Sequence, residues 1–221
     1  MVTERVQLSA SLLAADYGMM RAALMDAEAA GVDRFHFDFM DGHYVPNLAL
    51  SPDHIRALHP HSGLPFDVHL ELSNPDEALE MMSWQAVSTL IFQADTLTSP
   101  LETFKKARGR GLHIGLSIHP DWPLAPVEPL LPYVDQCLVL GVRPGFGGQP
   151  MHPETIDRLE RVARMAADLS VEIAVDGGVN QSNCVDVAAA GADVLVVGTA
   201  IFGAPNLQAA VTSFRTLLAA R

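Results

Sequence analysis

The sequence predicts an α/β fold, a single-domain (β/α)8 barrel of the TIM type over residues 1–221. Eight short runs rich in β-branched or aromatic residues alternate with longer Ala/Leu-rich segments of helical period, the grammar of repeated βα units around a parallel sheet. Eight units in 221 residues leave about 28 residues for each, the size of a compact barrel with few insertions. No stretch rich in Pro, Gly or Ser and no shift in composition marks a second domain. A doubly wound sheet shares this grammar but would need fewer strands or a longer chain.

The first strand is expected at 6–9. The apolar stretch 6–15 behind Arg5 resembles a secretory leader, but Gln7, Ser9 and Ser11 interrupt it and Asp16 closes it, so it reads as a strand entering a loop. A helix over 17–30 leads to the second strand at 34–39, and the third strand at 66–70 feeds a helix over 75–82. The fourth strand, 89–92, is followed by a helix over 101–108 and the fifth strand at 113–118. The sixth strand, 136–140, connects through a helix over 153–167 to the seventh at 172–175. A helix over 183–190, the eighth strand at 194–197 and a last helix over 207–220 complete the pattern. Ala29-Ala30-Gly31-Val32-Asp33 and Ala189-Ala190-Gly191-Ala192-Asp193 are an internal echo: each closes a helix with Gly, which takes the left-handed cap conformation cheaply, and enters an apolar strand.

Composition narrows the function. With 26 acidic and 14 basic side chains the formal charge is −12, and no basic stripe exists to meet a nucleic-acid backbone. No apolar run approaches the roughly 18 residues that span a bilayer. Cys137 and Cys184 lie far apart and outside any Cys-x-x-Cys spacing, so neither a disulfide framework nor a thiolate zinc site is expected, and the cytoplasm is the default compartment.

Side chains alternate along a strand, so in Phe35-His36-Phe37-Asp38-Phe39 the rings face the helices while His36 and Asp38 face the barrel axis. The same arithmetic puts Asp67 with His69, and Ala174 with Asp176. Three strands thus end in inward polar groups at the carboxyl end, where barrel active sites are built. Burying carboxylates with no Lys or Arg beside them is costly unless a cation or shared protons relieve it. His36, Asp38, His69 and Asp176 form a ligand set suited to one divalent metal ion, zinc first, with iron(II), manganese or cobalt as alternatives. Any one of the four alone reads equally well as a hydrogen-bonded core residue. Gly145-Phe146-Gly147-Gly148-Gln149, Asp176-Gly177-Gly178 and Gly198-Thr199-Ala200 follow the last three strands, and such loops present backbone N–H groups to an anion. The loops after strands seven and eight are the usual phosphate site of barrel enzymes.

The chain resembles the ribulose-phosphate 3-epimerases nearly end to end. The resemblance is carried by Ser9-Ala10-Ser11-Leu12-Leu13-Ala14-Ala15-Asp16, by Met40-Asp41-Gly42-His43-Tyr44-Val45-Pro46-Asn47 and by Asp67-Val68-His69-Leu70. It continues through Pro144-Gly145-Phe146-Gly147-Gly148-Gln149, Val175-Asp176-Gly177-Gly178 and Gly198-Thr199-Ala200-Ile201-Phe202-Gly203. It implies a metal held by His36, Asp38, His69 and Asp176, and inversion at C3 of a ketose phosphate. Asp38 and Asp176 are then the catalytic acid and base, exchanging roles with the direction of reaction, while the metal stabilises the developing enediolate. It further implies substrate contacts from Ser11, His69, Gly145, Phe146, Gly147, Gly148, Gly177, Gly178, Gly198 and Thr199, and a homo-oligomer. No organic cofactor is implied.

Five positions depart from the family pattern: Glu71 and Leu140 stand where Met is usual, Gln93 where His is common, and His119 and Arg143 where Asn, or for Arg143 also Asp, is common. They are expected at strand ends facing the sugar, where polarity discriminates strongly; drift, with Glu71 and Arg143 pairing or reaching solvent, is the plain alternative. The expected reaction interconverts D-ribulose 5-phosphate and D-xylulose 5-phosphate. Its nearest variant uses a six-carbon ketose phosphate such as D-allulose 6-phosphate, and a non-catalytic sugar-phosphate binding protein is the reading from another class. An aldolase or decarboxylase is disfavoured because no Asp-x-Lys occurs and the only lysines, Lys105 and Lys106, fall in a predicted helix. Asp41 and His43 are expected to fix a loop, Met19, Met20, Met25, Met81 and Met82 to pack, and His54, His59 and His61 to form no second metal site.

Overall fold

A computed structural model describes residues 5–220; residues 1–4 and 221 of the expected domain lie outside the described residues. Eight parallel strands close on themselves in chain order: β1 (Gln7–Ser11), β2 (Arg34–Met40), β3 (Phe66–Glu71), β4 (Thr89–Gln93), β5 (His113–Ile118), β6 (Gln136–Leu140), β7 (Glu172–Asp176) and β8 (Val194–Val197). Closure comes from β1 pairing with both β2 and β8, Ser11 opposite His36 and Ala10 opposite Val197. Around them run α1 (Met20–Ala30), α2 (Pro52–Leu58), α3 (Pro75–Met81), α4 (Pro100–Arg108), α5 (Thr155–Met165), α6 (Cys184–Ala189), α7 (Thr199–Phe202) and α8 (Leu207–Ala219). The expected barrel therefore forms.

The strands lie where β-branched and aromatic runs put them, but five run farther toward their carboxyl ends than expected, to Ser11, Met40, Glu71, Gln93 and Asp176. Their ladders continue because the partners continue: Met40 pairs with Glu71, Gln93 with Ser117 and Leu140 with Asp176. The expected first helix is divided, with a 3₁₀ turn at Tyr17–Met19 capped by the Asp16 carboxylate on the Gly18 N–H at 2.9 Å. Helix α2 carries Pro52 at the first-turn position behind Ser51. Between β5 and β6 only a 3₁₀ stretch, Glu128–Tyr133, forms, since Pro129 and Pro132 withhold backbone donors.

The internal echo has a physical purpose. Gly31 and Gly191 cap their helices at φ +98° and +106°, and two residues later an aspartate accepts the N–H that opens a neighbouring strand. Asp33 Oδ2 takes Leu8 N at 2.7 Å and Asp193 Oδ2 takes Ile173 N at 2.8 Å. Asp135 repeats the contact on Ile114 N at 2.7 Å.

Two cores result from the alternation. Outside the sheet, Phe35, Phe37, Phe39, Phe66 and Phe92 pack against the helices. Inside, Ile91, Leu138, Leu140, Ala174, Val194 and Val196 fill one side of the barrel, and Gly115 makes room for Ile91, whose Cγ1 would sit 2.6 Å from an added Cβ. The amino end is closed by ions: Arg34 reaches Asp67 at 3.2 Å, Glu172 at 2.9 Å and Gln7 at 2.9 Å. This corrects the expectation that the inward carboxylates lack a basic partner, because Asp67 has one. Of the methionines expected to pack, Met20 is buried, whereas Met19, Met25 and Met81 are exposed; the helical period places them on outer faces.

Candidate active site and metal centre

Strands β2, β3 and β7 bring four side chains together at the carboxyl end. His36 Nε2 lies 3.2 Å from Asp38 Oδ1 and 3.7 Å from Asp176 Oδ2, and His69 Nδ1 lies 3.1 Å from the same Asp38 oxygen. One donor atom from each of His36, Asp38, His69 and Asp176 falls within 4.8 Å of all the others, the one such group that could hold a metal ion among the described residues. Ser11 Oγ donates to Asp38 Oδ2 at 3.2 Å. His36, Asp38 and His69 are buried, while the Asp176 side chain keeps 20% of its surface open.

These groups disturb one another strongly. Burial works against the Asp38 charge, but the imidazoles of His36 and His69 outweigh it and hold the carboxyl far below the usual range. Burial, opposed by His36 and reinforced by the Asp38 charge, pushes Asp176 up to about 7. Burial pulls His36 down, yet Asp38 and Asp176 reverse this and raise it to about 9. His69 is lowered by its burial despite Asp38. Two carboxylates on one histidine are thereby driven apart, the pattern of an acid beside a base.

The donor set fits a divalent cation. His36 Nε2 is sealed from solvent and makes no hydrogen bond, although three oxygen or nitrogen ligands surround it. Buried polar atoms without partners are rare, and a cation shared by two imidazoles and two carboxylates would satisfy this one.

Above the cluster opens a cavity of about 290 Å³. Asp38, Glu71, Leu140 and Asp176 line its floor with Ser11, while Gly145, Phe146, Gly147, Gly148, Gly177, Gly178, Gly198 and Thr199 line its walls. Of the residues expected to contact substrate, all but the fully buried His69 line this cavity. Met40, which opens the motif over 40–47, and Val142, Val179 and Asn180, which lie near the other motifs, also line the cavity, but no chemical signature marked them as site residues. Gly177 and Gly178 adopt φ +102° and +74°, and a Cβ on Gly178 would meet Met151 N at 2.5 Å. The Gly147 position, in contrast, faces open space, its nearest neighbour being Thr199 Oγ1 at 4.0 Å. Asp41 fixes the loop as expected: it accepts from His43 N and Tyr44 N at 2.8 Å, and from Ser73 N and Oγ at 2.8 and 2.6 Å.

The five departures separate. Glu71, Leu140 and Arg143 line the cavity. Gln93 and His119 do not face it: Gln93 is fully buried against His69, and His119 lies 3.5 Å from Asp95. Arg143 pairs with Asp121 at 3.1 Å, both exposed, so it does not neutralise Glu71. Glu71 is buried, 3.7 Å from His69 Nδ1, with Oε2 lacking any partner. Burial and the charges of Asp38 and Asp176 raise its carboxyl well above the usual range.

The ribulose-phosphate 3-epimerase family model matches residues 7–202. The chain belongs to that family. The epimerase class expected from the sequence, an isomerase acting on sugar phosphates, accordingly holds. The ribulose-phosphate 3-epimerase of Mycobacterium tuberculosis strain H37Rv is 36% identical over 212 residues, covering 94% of this chain and 91% of its own. That of Escherichia coli K12 is 34% identical over 215 residues, 96% of each chain. Among solved structures, KGPDC from Streptococcus mutans in complex with D-R5P superposes with a TM-score of 0.76 at 12% identity, covering 96% and 97% of the two chains. Phosphoribosyl anthranilate isomerase from Thermus thermophilus gives 0.68 at 18% identity, covering 97% and 98%. At such identities these two share the fold.

Proposed function

We propose that the protein is a metal-dependent ketose-phosphate 3-epimerase interconverting D-ribulose 5-phosphate and D-xylulose 5-phosphate. The observation that carries the reading is the pair of carboxylates, Asp38 and Asp176, on β2 and β7 lining one cavity and flanking His36 Nε2, with Asp38, against its burial, pulled down by the two imidazoles and Asp176 pushed up by burial and the Asp38 charge. Inverting C3 requires a proton to leave one face of the carbon and another to arrive at the opposite face. One carboxylate takes the first proton and the other, protonated, gives the second; in the reverse direction they exchange roles. In the metal-free protein the imidazoles hold the Asp38 carboxyl down while burial and the Asp38 charge raise Asp176 to about 7, so the two carboxylates differ in proton affinity, as a base and an acid must.

His36, Asp38, His69 and Asp176 would hold the divalent cation, with zinc, iron(II), manganese and cobalt all compatible with two imidazoles and two carboxylates. When bound it supplies Lewis acidity, offsetting the negative charge that builds on the substrate oxygens as C3 loses its proton. The remaining work falls to the chain. Backbone N–H groups of the glycine loops at Gly147, Gly148, Gly177, Gly178, Gly198 and Thr199 receive the phosphate, consistent with an acidic protein that binds an anion with few basic side chains. Phe146, half exposed over the cavity, limits the access of water.

The buried Glu71 at the cavity floor favours a second reading, a six-carbon substrate such as D-allulose 6-phosphate, since a carboxyl there can hydrogen-bond a hydroxyl that an apolar residue cannot. Incubating metal-reconstituted protein with ribulose 5-phosphate in D₂O, and with allulose 6-phosphate in parallel, tests both by proton NMR. Deuterium at C3 and appearance of xylulose 5-phosphate are expected. Exchange with allulose 6-phosphate alone moves the substrate, and exchange with neither in protein shown to hold metal overturns the epimerase assignment for both sugars.

A further inference from the structure

Gln93 ends β4 beside His69 of the candidate metal centre. Its side chain is fully buried, and its amide nitrogen lies 3.0 Å from His69 Nε2. The other ring nitrogen, Nδ1, faces Asp38 Oδ1 at 3.1 Å. With the amide in this orientation Nε2 must accept, so the ring proton resides on Nδ1 and points at Asp38. A ring in that tautomer offers the cluster a proton and no lone pair.

His69 can join His36, Asp38 and Asp176 around a cation only through Nδ1, the nitrogen on their side. Nε2 must then carry the proton, in a fully buried place where it needs an acceptor. The amide oxygen of Gln93 is that acceptor in waiting: Oε1 is buried and has no hydrogen-bond partner. Half a turn of the carboxamide exchanges its oxygen and nitrogen without changing its shape, and satisfies both Oε1 and Nε2–H. The relocated NH₂ then faces the interior near Ser117, the register partner of Gln93 on β5, whose hydroxyl is likewise buried without a partner.

Resting on the metal-centre reading above, we propose that Gln93 is a positioning residue for the cation. Its side-chain carbonyl accepts the Nε2 proton of His69 and so leaves the Nδ1 lone pair for the metal. Ligating histidines depend in this way on the group that holds their second nitrogen, and loss of such a partner typically weakens metal binding about 10- to 100-fold.

The test compares zinc affinity, by competition with a chromophoric chelator, in the wild type, Gln93→Leu and Gln93→Glu, alongside ¹H–¹⁵N NMR of the His69 ring in zinc-loaded wild-type protein. Gln93→Leu is expected to weaken zinc about 10- to 100-fold, and Gln93→Glu, which keeps an acceptor oxygen in either rotation, to restore most of the loss. The ring spectrum is expected to show a protonated Nε2 and a metal-shifted Nδ1, a result that stands even if Gln93→Leu fails to fold. Equal affinity in Gln93→Leu and wild type, or a proton on Nδ1 in the zinc-loaded ring, overturns the role of Gln93 while leaving the metal centre in place. A wild type that holds no zinc overturns the centre and Gln93 together.

Discussion

At the scale of single residues, Asp176 and Glu71 are two carboxyls on one cavity floor with different burdens. Asp176 is partly open to the cavity and is poised near neutrality by burial, His36 and Asp38. Replacing it by Asn removes the titrating proton while keeping the shape. Asp176→Asn is therefore expected to abolish deuterium exchange at C3 while the far-UV circular dichroism is unchanged; measurable turnover would refute the two-carboxylate mechanism. Glu71 is enclosed, with one oxygen unpartnered and Arg143 engaged elsewhere. A buried polar atom without a partner costs about 1–3 kcal/mol, and Met fills a similar volume. Glu71→Met is expected to raise the thermal midpoint of the metal-free protein at pH 8, and, if Glu71 reads a sugar hydroxyl, to raise KM for the true substrate more than it lowers kcat.

At the scale of elements, the amino end of the barrel depends on the ion pair between β2 and β3. Arg34 and Asp67 are both largely withdrawn from water, their side chains 12% and 3% exposed. Burial raises the Asp67 carboxyl despite Arg34 beside it, a sign that desolvation nearly cancels the attraction. Removing one partner strands the other: Arg34→Met is expected to cost about 3–5 kcal/mol, and adding Asp67→Leu to recover most of it. Urea denaturation of the two variants measures both, and a single variant as stable as the wild type would show the pair to be dispensable. The same strands show what the sequence made legible. Alternation in Phe35-His36-Phe37-Asp38-Phe39 was enough to place His36 and Asp38 on the axis, because period two leaves no choice of face. It gives the face but not the neighbour, so Asp67 shares the axis with His69 in the sequence, whereas its ion pair with Arg34 depends on how β3 stands against β2. Strand ends were read short at Met40 and at Ser11, Glu71, Gln93 and Asp176, the last four because polar residues there resemble loop starts until the neighbouring ladder is known. Gln93 was legible as a departure but not as a contact of His69, which depends on how β4 stands against β3.

At the scale of the whole molecule, stability, metal and pH are linked through the site. In the metal-free protein His36 is raised from 6.5 to about 9, so the stabilisation from its charge on Asp38 is complete below pH about 6.5 and is lost as pH rises through about 9. Asp176, raised from 3.8 to about 7, acts in the same direction: the folded state holds its proton where the unfolded state has released it, and stability falls as pH rises from about 4 to about 7. A cation inverts this dependence. It requires His36 neutral and Asp176 ionised, so binding expels protons below their folded pKa values and tightens as pH rises. Stabilisation by a bound ligand grows with its concentration relative to Kd. The gap between the thermal midpoints of zinc-loaded and chelator-treated protein is therefore expected to widen steadily from pH 6 to pH 9, the loaded form holding its midpoint while the metal-free form declines. Calorimetry at fixed free zinc across that range measures the gap. A gap that stays constant would mean that His36 and Asp176 do not release protons to the metal, and would remove them from the ligand set.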